Sequence, residues 1–306
     1  MTQHPRLPGL DAHMLSSDEL EAVVVPKSGA RVASLVDRVR GIEWMWAPPG
    51  TDSRVRENTP GDDFATGPIV GADECIPTVG ACRVSGVGGH VEMPDHGEVW
   101  ARSFDSALAG TESVASIGLH TVPLHFRRAA SVRGATLRMD YTVRRLGDHR
   151  VPWLWSWHPL FVLPEEATLA LEGVSGQVRF ESGEGVASDN PVLHCRAGDV
   201  GTPLHALDLG GPGRSAKLFL DASAEGAATL TDVRRGSAIT VRWSGEALRG
   251  LGVWINRGGW NGYQHMAIEP CTEPVESADQ VRSSPFAAGS DETCWSLDVT
   301  VHAAGD

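Results

Sequence analysis

Two ionisable side chains in this 306-residue chain stand immediately before a proline at the end of an apolar run. One is His158, in Trp153-Leu154-Trp155-Ser156-Trp157-His158-Pro159-Leu160-Phe161; the other is Glu269, in Met266-Ala267-Ile268-Glu269-Pro270. Proline disfavours the helical region for the residue before it, so both groups are expected on extended backbone. An imidazole gives and takes protons near neutral pH, and a carboxylate accepts one. A carboxylate closing a buried strand is costly unless it is paired or works chemically. A third cluster, Pro94-Asp95-His96-Gly97-Glu98-Val99-Trp100-Ala101-Arg102, brings together a histidine, acids, an indole and a guanidinium. The chemistry within reach is proton transfer by a general acid and a general base. Each stretch also has a plain structural reading: a hydrogen-bonded core histidine at 158, a solvated or salt-bridged strand end at 269, and a polar turn at Asp95-His96.

Read as a strand, the tryptophan run alternates. Trp153, Trp155 and Trp157 share one face, and Leu154, Ser156, His158 and Leu160 share the other. Flat indoles beside an imidazole suit a site that grips a sugar, the rings covering C–H faces and the histidine reaching an oxygen. Trp100, Trp157 and Trp260 are the candidate stacking platforms, with plain core as the alternative. Gly71-Ala72-Asp73-Glu74-Cys75-Ile76-Pro77-Thr78-Val79 adds two adjacent acids before an apolar-proline bend. Asp73 and Glu74 read either as acceptors for sugar hydroxyls or as loop acids.

The elements that must position these groups read as strands. Leu137, Met139, Tyr141 and Val143 alternate with Arg138, Asp140, Thr142 and Arg144, and Trp295, Leu297, Val299 and Val301 alternate with Ser296, Asp298, Thr300 and His302. Shorter strands are expected over 21–26, 30–36, 42–46, 167–174, 217–221, 228–233, 237–243, 250–255 and 266–270, with a hairpin turn at Arg234-Arg235-Gly236. One short helix is expected over 274–282. The 35 Gly and 19 Pro favour many strands joined by turns. The fold class is therefore all-β: a large antiparallel β-sandwich, in a single domain over 21–306 after a loose leader over 1–20. Loops 47–66 and 181–200 are candidates to close over a ligand.

A formal net charge of -13 argues against a nucleic-acid partner. No run is long enough to span a bilayer, and no signal peptide is evident, so a cytoplasmic protein with no membrane partner is expected. The five cysteines are an odd number without a C-x-x-C pair, which fits a reducing compartment better than a disulfide scaffold. The 12 histidines show no H-E-x-x-H spacing, so no catalytic metal is expected. Gly86-Val87-Gly88-Gly89 is not a nucleotide-binding fingerprint.

The three chemical stretches together resemble the aldose 1-epimerase (galactose mutarotase-like) family. That family carries an HG motif, then an HPxF motif after an aromatic strand, then an EP motif near the C-terminal end. Here these stand, in the same order, as His96-Gly97, His158-Pro159-Leu160-Phe161 and Glu269-Pro270. The resemblance spans residues 20–302, and GADECIPTVG and PDHGEVWAR look like a divergent bacterial branch. It implies a β-supersandwich with its site in a groove across one sheet, and interconversion of the α and β anomers of a small-molecule sugar without a cofactor. It also implies Glu269 as general base, His158 as general acid and His96 as a second histidine at the sugar oxygens. Members acting on hexose 6-phosphates have an arginine before the first proline bend, whereas this chain has Asp73 and Glu74 there. Acids would repel a phosphate, so a non-phosphorylated sugar is expected. The asparagine often found before the family's HP histidine is Trp157 here, and the segment from His96 to its arginine is longer than the family's; Asp95 and Arg102 are expected, with Asp73, Glu74 and the three tryptophans, among the substrate-binding residues. Two alternatives stay open on the same fold: a non-catalytic carbohydrate-binding protein, and another epimerase-type reaction on a modified sugar, with Asp73, Glu74 and Glu98 as further acid–base groups. Either a monomer or a homodimer is compatible, since edge strands can pair or stay capped.

Overall fold

The computed structural model describes residues 11–49, 61–66, 69–86, 89–148, 150–181, 202–203 and 212–305. Its first strands are β1 (His13–Ser16), β2 (Leu20–Val25), β3 (Arg31–Asp37), β4 (Ile42–Glu43) and β5 (Ala72–Cys75). Next come β6 (Cys82–Gly86), β7 (Gly89–Met93), β8 (Asp105–Ala109), β9 (Glu112–Gly118), β10 (Leu124–Arg133) and β11 (Thr136–Arg145). The chain continues with β12 (Ser156–Val162), β13 (Ala167–Glu181), β14 (Thr202–Pro203) and β15 (Ser215–Asp232). It closes with β16 (Ser237–Ser244), β17 (Gly250–Arg257), β18 (Gln264–Cys271) and β19 (Glu292–Ala303). The helix expected over 274–282 is only a 3-10 turn, Ala278–Gln280. Among the described residues no helix is long and apolar enough to cross a membrane.

The strands form two layers joined through one long pair. One layer runs β1-β2-β3-β5-β12-β18-β17, and the other runs β8-β9-β10-β11-β19-β16. The first half of β15 pairs with β17 and its second half with β16, so this strand passes from one layer to the other. β13 accompanies it, with register shifts between Glu172 and Val174 and between Ser175 and Arg179 that let the pair bend. The apolar alternation read at β11 and β19 buries Leu137, Met139, Tyr141 and Val143 against Leu297, Val299 and Val301 in the principal core.

The leader expected over 1–20 is ordered at its end, since β1 pairs with β2 from His13 opposite Val24 to Ser16 opposite Glu21. Alternation in His13-Met14-Leu15-Ser16 is too short to stand out, yet Leu15 is wholly buried. The two expected strands at 217–221 and 228–233 are parts of the continuous β15. Of the two candidate lid loops, 181–200 lies outside the described residues beyond Glu181, and 47–66 is described at 47–49 and 61–66.

Candidate active site

Strand register builds the site. Asp73 on β5 lies opposite His158 on β12, and Glu74 lies opposite Trp157. Across the other edge of β12, Ser156 pairs with Cys271 and Leu160 with Ala267, a register that sets His158 against Glu269 of β18. Glu269 in turn faces Gly252 of β17, which faces Phe219 of β15. Opposed residues of a sheet point to the same side. Asp73, His158, Glu269 and Phe219 therefore form one rung across the layer, on the face away from the principal core. Gly252 keeps that rung open: a Cβ there would press on both Glu269 and the Phe219 ring.

His158 Nε2 lies 3.6 Å from Glu269 Oε1, and both side chains are buried. Neither Glu269 oxygen nor His158 Nδ1 has a well-directed hydrogen bond. Burial raises the Glu269 pKa, and Lys217, whose Nζ sits 3.2 Å from Oε2, opposes that rise. Burial, reinforced by His96 and Lys217, holds His158 well below the usual imidazole value. The pair therefore titrates as a unit, with the carboxylate disposed to take a proton and the imidazole disposed to give one up.

His96 stands over this pair on a strained corner. His96 and Gly97 both adopt the left-handed conformation, with φ of 57° and 67°. At Gly97 a side chain would overlap the Ile76 carbonyl, so glycine is required there. His96 Nδ1 lies 3.3 Å from Asp95 Oδ2, which also accepts the Phe64 amide at 3.0 Å. Burial works to raise Asp95, but His96 and the Phe64 amide outweigh it and leave its pKa below the ordinary value. The Phe64 ring stacks on His96 with centroids 3.9 Å apart, meets His158 edge-on at 5.3 Å and faces Trp260 at 5.9 Å. Trp260 is held by Asn256, which accepts the Trp260 amide at 3.0 Å and donates to its carbonyl at 2.9 Å. Trp254 closes the wall, its ring 5.8 Å from His158. Among the described residues no group of three or more His, Cys, Asp or Glu side chains is arranged to hold a metal ion.

No family model matches the sequence, and no curated protein matches it. Solved structures do. The Slr1438 protein of Synechocystis sp. PCC 6803 superposes with a TM-score of 0.72 at 16% identity, covering 99% of each chain. A galactose mutarotase-like protein of Lactobacillus casei ATCC 334 gives a TM-score of 0.67 at 18% identity over 95% of this chain and 100% of its own. The GalM/aldose epimerase homologue of C. elegans gives 0.70 at 12% identity over 97% and 100%. The fold is the galactose mutarotase-like β-sandwich.

On this galactose mutarotase-like scaffold the sequence-predicted residues separate into two groups. His158, Glu269, His96, Asp95, Asp73 and Trp260 come together on one face. Glu74 does not: it points into the principal core, where Arg128 Nη1 (2.6 Å), Trp155 Nε1 (2.9 Å) and Tyr141 Oη (3.1 Å) all donate to it. Trp157 lies on that same core side, packed against Phe161. The three-tryptophan face of the run at 153–157 thus packs the core, and only His158 and its face serve the site. Arg102 is drawn away to Glu98, the Gly118 carbonyl and His120. Glu98 is fully committed as well, taking the amides of His120 and Thr121 and the Thr121 hydroxyl. Trp100 sits behind the site, fully buried, with its Nε1 on the Asp95 carbonyl at 3.2 Å and its ring 5.7 Å from His96. Asp73 faces the site but is paired with Arg31, Nη2 to Oδ1 at 2.6 Å, so it offers no net negative charge to repel a phosphate. Phe64, Trp254 and Lys217 escaped the sequence reading. For Lys217 a signal existed: a lysine opening the apolar run Lys217-Leu218-Phe219-Leu220 must find a counter-charge if it is buried.

Proposed function

We propose that this protein is a cofactor-independent isomerase that interconverts the α and β anomers of a free, non-phosphorylated aldose. The observation that carries the reading is the Glu269–His158 pair: a carboxylate and an imidazole on neighbouring strands, 3.6 Å apart, with Glu269 Oε1 free of any hydrogen bond, whereas the buried carboxylate of Glu74 accepts from three donors. Glu269 takes the proton of the anomeric hydroxyl while His158 gives a proton to the ring oxygen. The C1–ring oxygen bond breaks to an open-chain aldehyde. Rotation about C1–C2 turns the other face of the carbonyl to the returning hydroxyl, and closure reverses both proton transfers. The working form is the dyad holding one proton, with Glu269 ionised and His158 charged. His96 supports the sugar oxygens, and Trp260 offers a flat face for the C–H side of the ring. A neutral sugar is supported by the two nearby cations: Lys217 is matched by Glu269 and Glu276, and Arg31 by Asp73.

A second reading, a carbohydrate-binding protein without catalysis, is favoured by one feature. Burial holds the His158 pKa well below the usual imidazole value, which suits a hydrogen-bonding role. Magnetisation-transfer NMR of anomer exchange over neutral, acidic and phosphorylated aldoses, with Glu269→Gln beside the wild type, separates the two. Exchange accelerated by wild type alone supports the isomerase; binding without acceleration across the panel supports the binding protein.

A further inference from the structure

Lys217, a largely covered cation, contacts the proposed base Glu269, and the acid–base reading gives it no part. Along the start of β15, Leu218 and Leu220 enter the principal core, whereas Lys217 and Phe219 face the site. The Lys217 side chain is 14% exposed, and its ammonium lies over the Phe219 ring at 5.5 Å. Nζ sits 3.2 Å from Glu269 Oε2 and 2.9 Å from Glu276 Oε2, and it donates to Glu276 Oε1 at 3.2 Å. Glu276 comes from the segment after β18, where its carbonyl accepts the Gly80 amide at 2.7 Å. The ammonium is therefore held between one wholly buried carboxylate and one that is 31% exposed. Holding a long lysine side chain out of water costs rotamer entropy and desolvation, a cost two carboxylates offset.

We propose that Lys217 is a positioning residue of the isomerisation: it binds Oε2 of Glu269 from the side away from His158, leaving Oε1 turned toward His158 and the sugar, while Glu276 fixes Lys217 in that place. The proposal rests on the acid–base reading of Glu269. The charged and titratable groups facing Glu269 are His158 from β12, Lys217 from β15, Glu276 beyond β18 and His96 above; β17 contributes only Gly252. The nearby thiols of Cys75 and Cys271 are kept neutral by burial. A cation beside the dyad disfavours a proton on either member, so its removal moves both protonation steps to higher pH.

The test compares wild type, Lys217→Met, Lys217→Arg and Glu276→Gln. Two readouts are taken: kcat and KM for anomer exchange against pH, and the titration of the Glu269 side-chain carboxyl carbon by 13C NMR, assigned with Glu269→Gln. Lys217→Met is expected to lower kcat by about tenfold or more with KM within about threefold, and to shift profile and titration upward by about one pH unit. Lys217→Arg restores most of the rate. Glu276→Gln moves the titration the other way, because it removes a negative charge, and lowers kcat less than Lys217→Met does. An unmoved Glu269 titration in Lys217→Met, or full kcat in that variant, overturns the proposal. The carboxyl titration needs no turnover, so it decides the hold of Lys217 on Glu269 even where wild type accelerates no sugar, the result that overturns the isomerase reading by itself. If Lys217→Met does not fold, the Glu276→Gln titration decides: a downward shift upholds the network, and no shift overturns it.

Discussion

Glu74 and Glu269 are both shut off from solvent, and each has a cation within ion-pair distance, yet the two carboxylates are completed differently. Glu74 accepts from a guanidinium, an indole and a phenol, all of them wholly buried. Glu269 has a lysine on one oxygen, with an imidazole near the other at a distance too long for a hydrogen bond. Burial raises the pKa of both. At Glu74 fixed donors answer that penalty permanently, whereas at Glu269 the second oxygen is left for something that arrives. A saturated buried carboxylate is a structural part, and an unsaturated one is a poised reagent.

That contrast can be broken by exchanging each oxygen for an amide. Glu269→Gln is expected to cut anomer exchange by about 10²–10⁴-fold, since it deletes the carboxylate proposed as base; NMR exchange rates check this, and a retained rate removes Glu269 from the chemistry. Glu74→Gln should leave the rate per folded molecule within about twofold while lowering stability by about 3–5 kcal/mol, because Arg128 is left buried without its counter-charge. Urea denaturation measures it, and a loss of rate without a loss of stability would erase the distinction between the two sites. The pH dependence sharpens it further. Exchange is expected to pass through a maximum: on the acid side Glu269 takes a second proton, and on the alkaline side the dyad loses the one His158 must give. Glu74→Gln leaves both limbs where they are, and a displaced limb would show that the core carboxylate is electrically coupled to the reaction. At the smallest scale, Trp260→Ala should raise KM by roughly 3–10-fold with kcat nearly unchanged, as expected for a contact worth about 1 kcal/mol. Arg102→Ala should leave both constants unaltered. A KM effect at Arg102 would return that residue to the site from which its bond to Glu98 withdraws it.

Much of the fold could be read from period-two alternation, which is loud in β11 and β19 and in the tryptophan run. Where it failed, the reason is local. β5 is Ala72-Asp73-Glu74-Cys75, with every residue buried, so no polar face marks its alternation. Its two acids are adjacent in sequence and opposite in space. Each is neutralised by an arginine from another strand, Arg31 for Asp73 and Arg128 for Glu74, and nothing within the stretch announces either partner. The histidines and Glu269 were legible because the residue after each, a proline or a glycine, constrains backbone as well as chemistry. The face was not: three indoles suggested a sugar platform, and their periodicity serves equally well to fill a core. Phe64 carries no signal, because an isolated phenylalanine in a Gly- and Asp-rich loop has no period at all.

The strand pairing also dictates when the site can exist. β11 is completed by β19, Thr136 lying opposite Thr300, and the strand bearing His158 is flanked by β5 and by β18. The pairings of β12 with β5 and β18, and of β11 with β19, join distant parts of the chain, so the entropy of closing large loops falls before His158 and Glu269 meet. A ribosome that has delivered the chain as far as β15 has made His96, His158 and Lys217 but not the carboxylate they are to surround. Until β18 arrives, the exposed edge of β12 is open to pairing with other chains. In this architecture β18 and β19 close the sandwich and β18 brings Glu269, so the completed site and protection from edge pairing arise together.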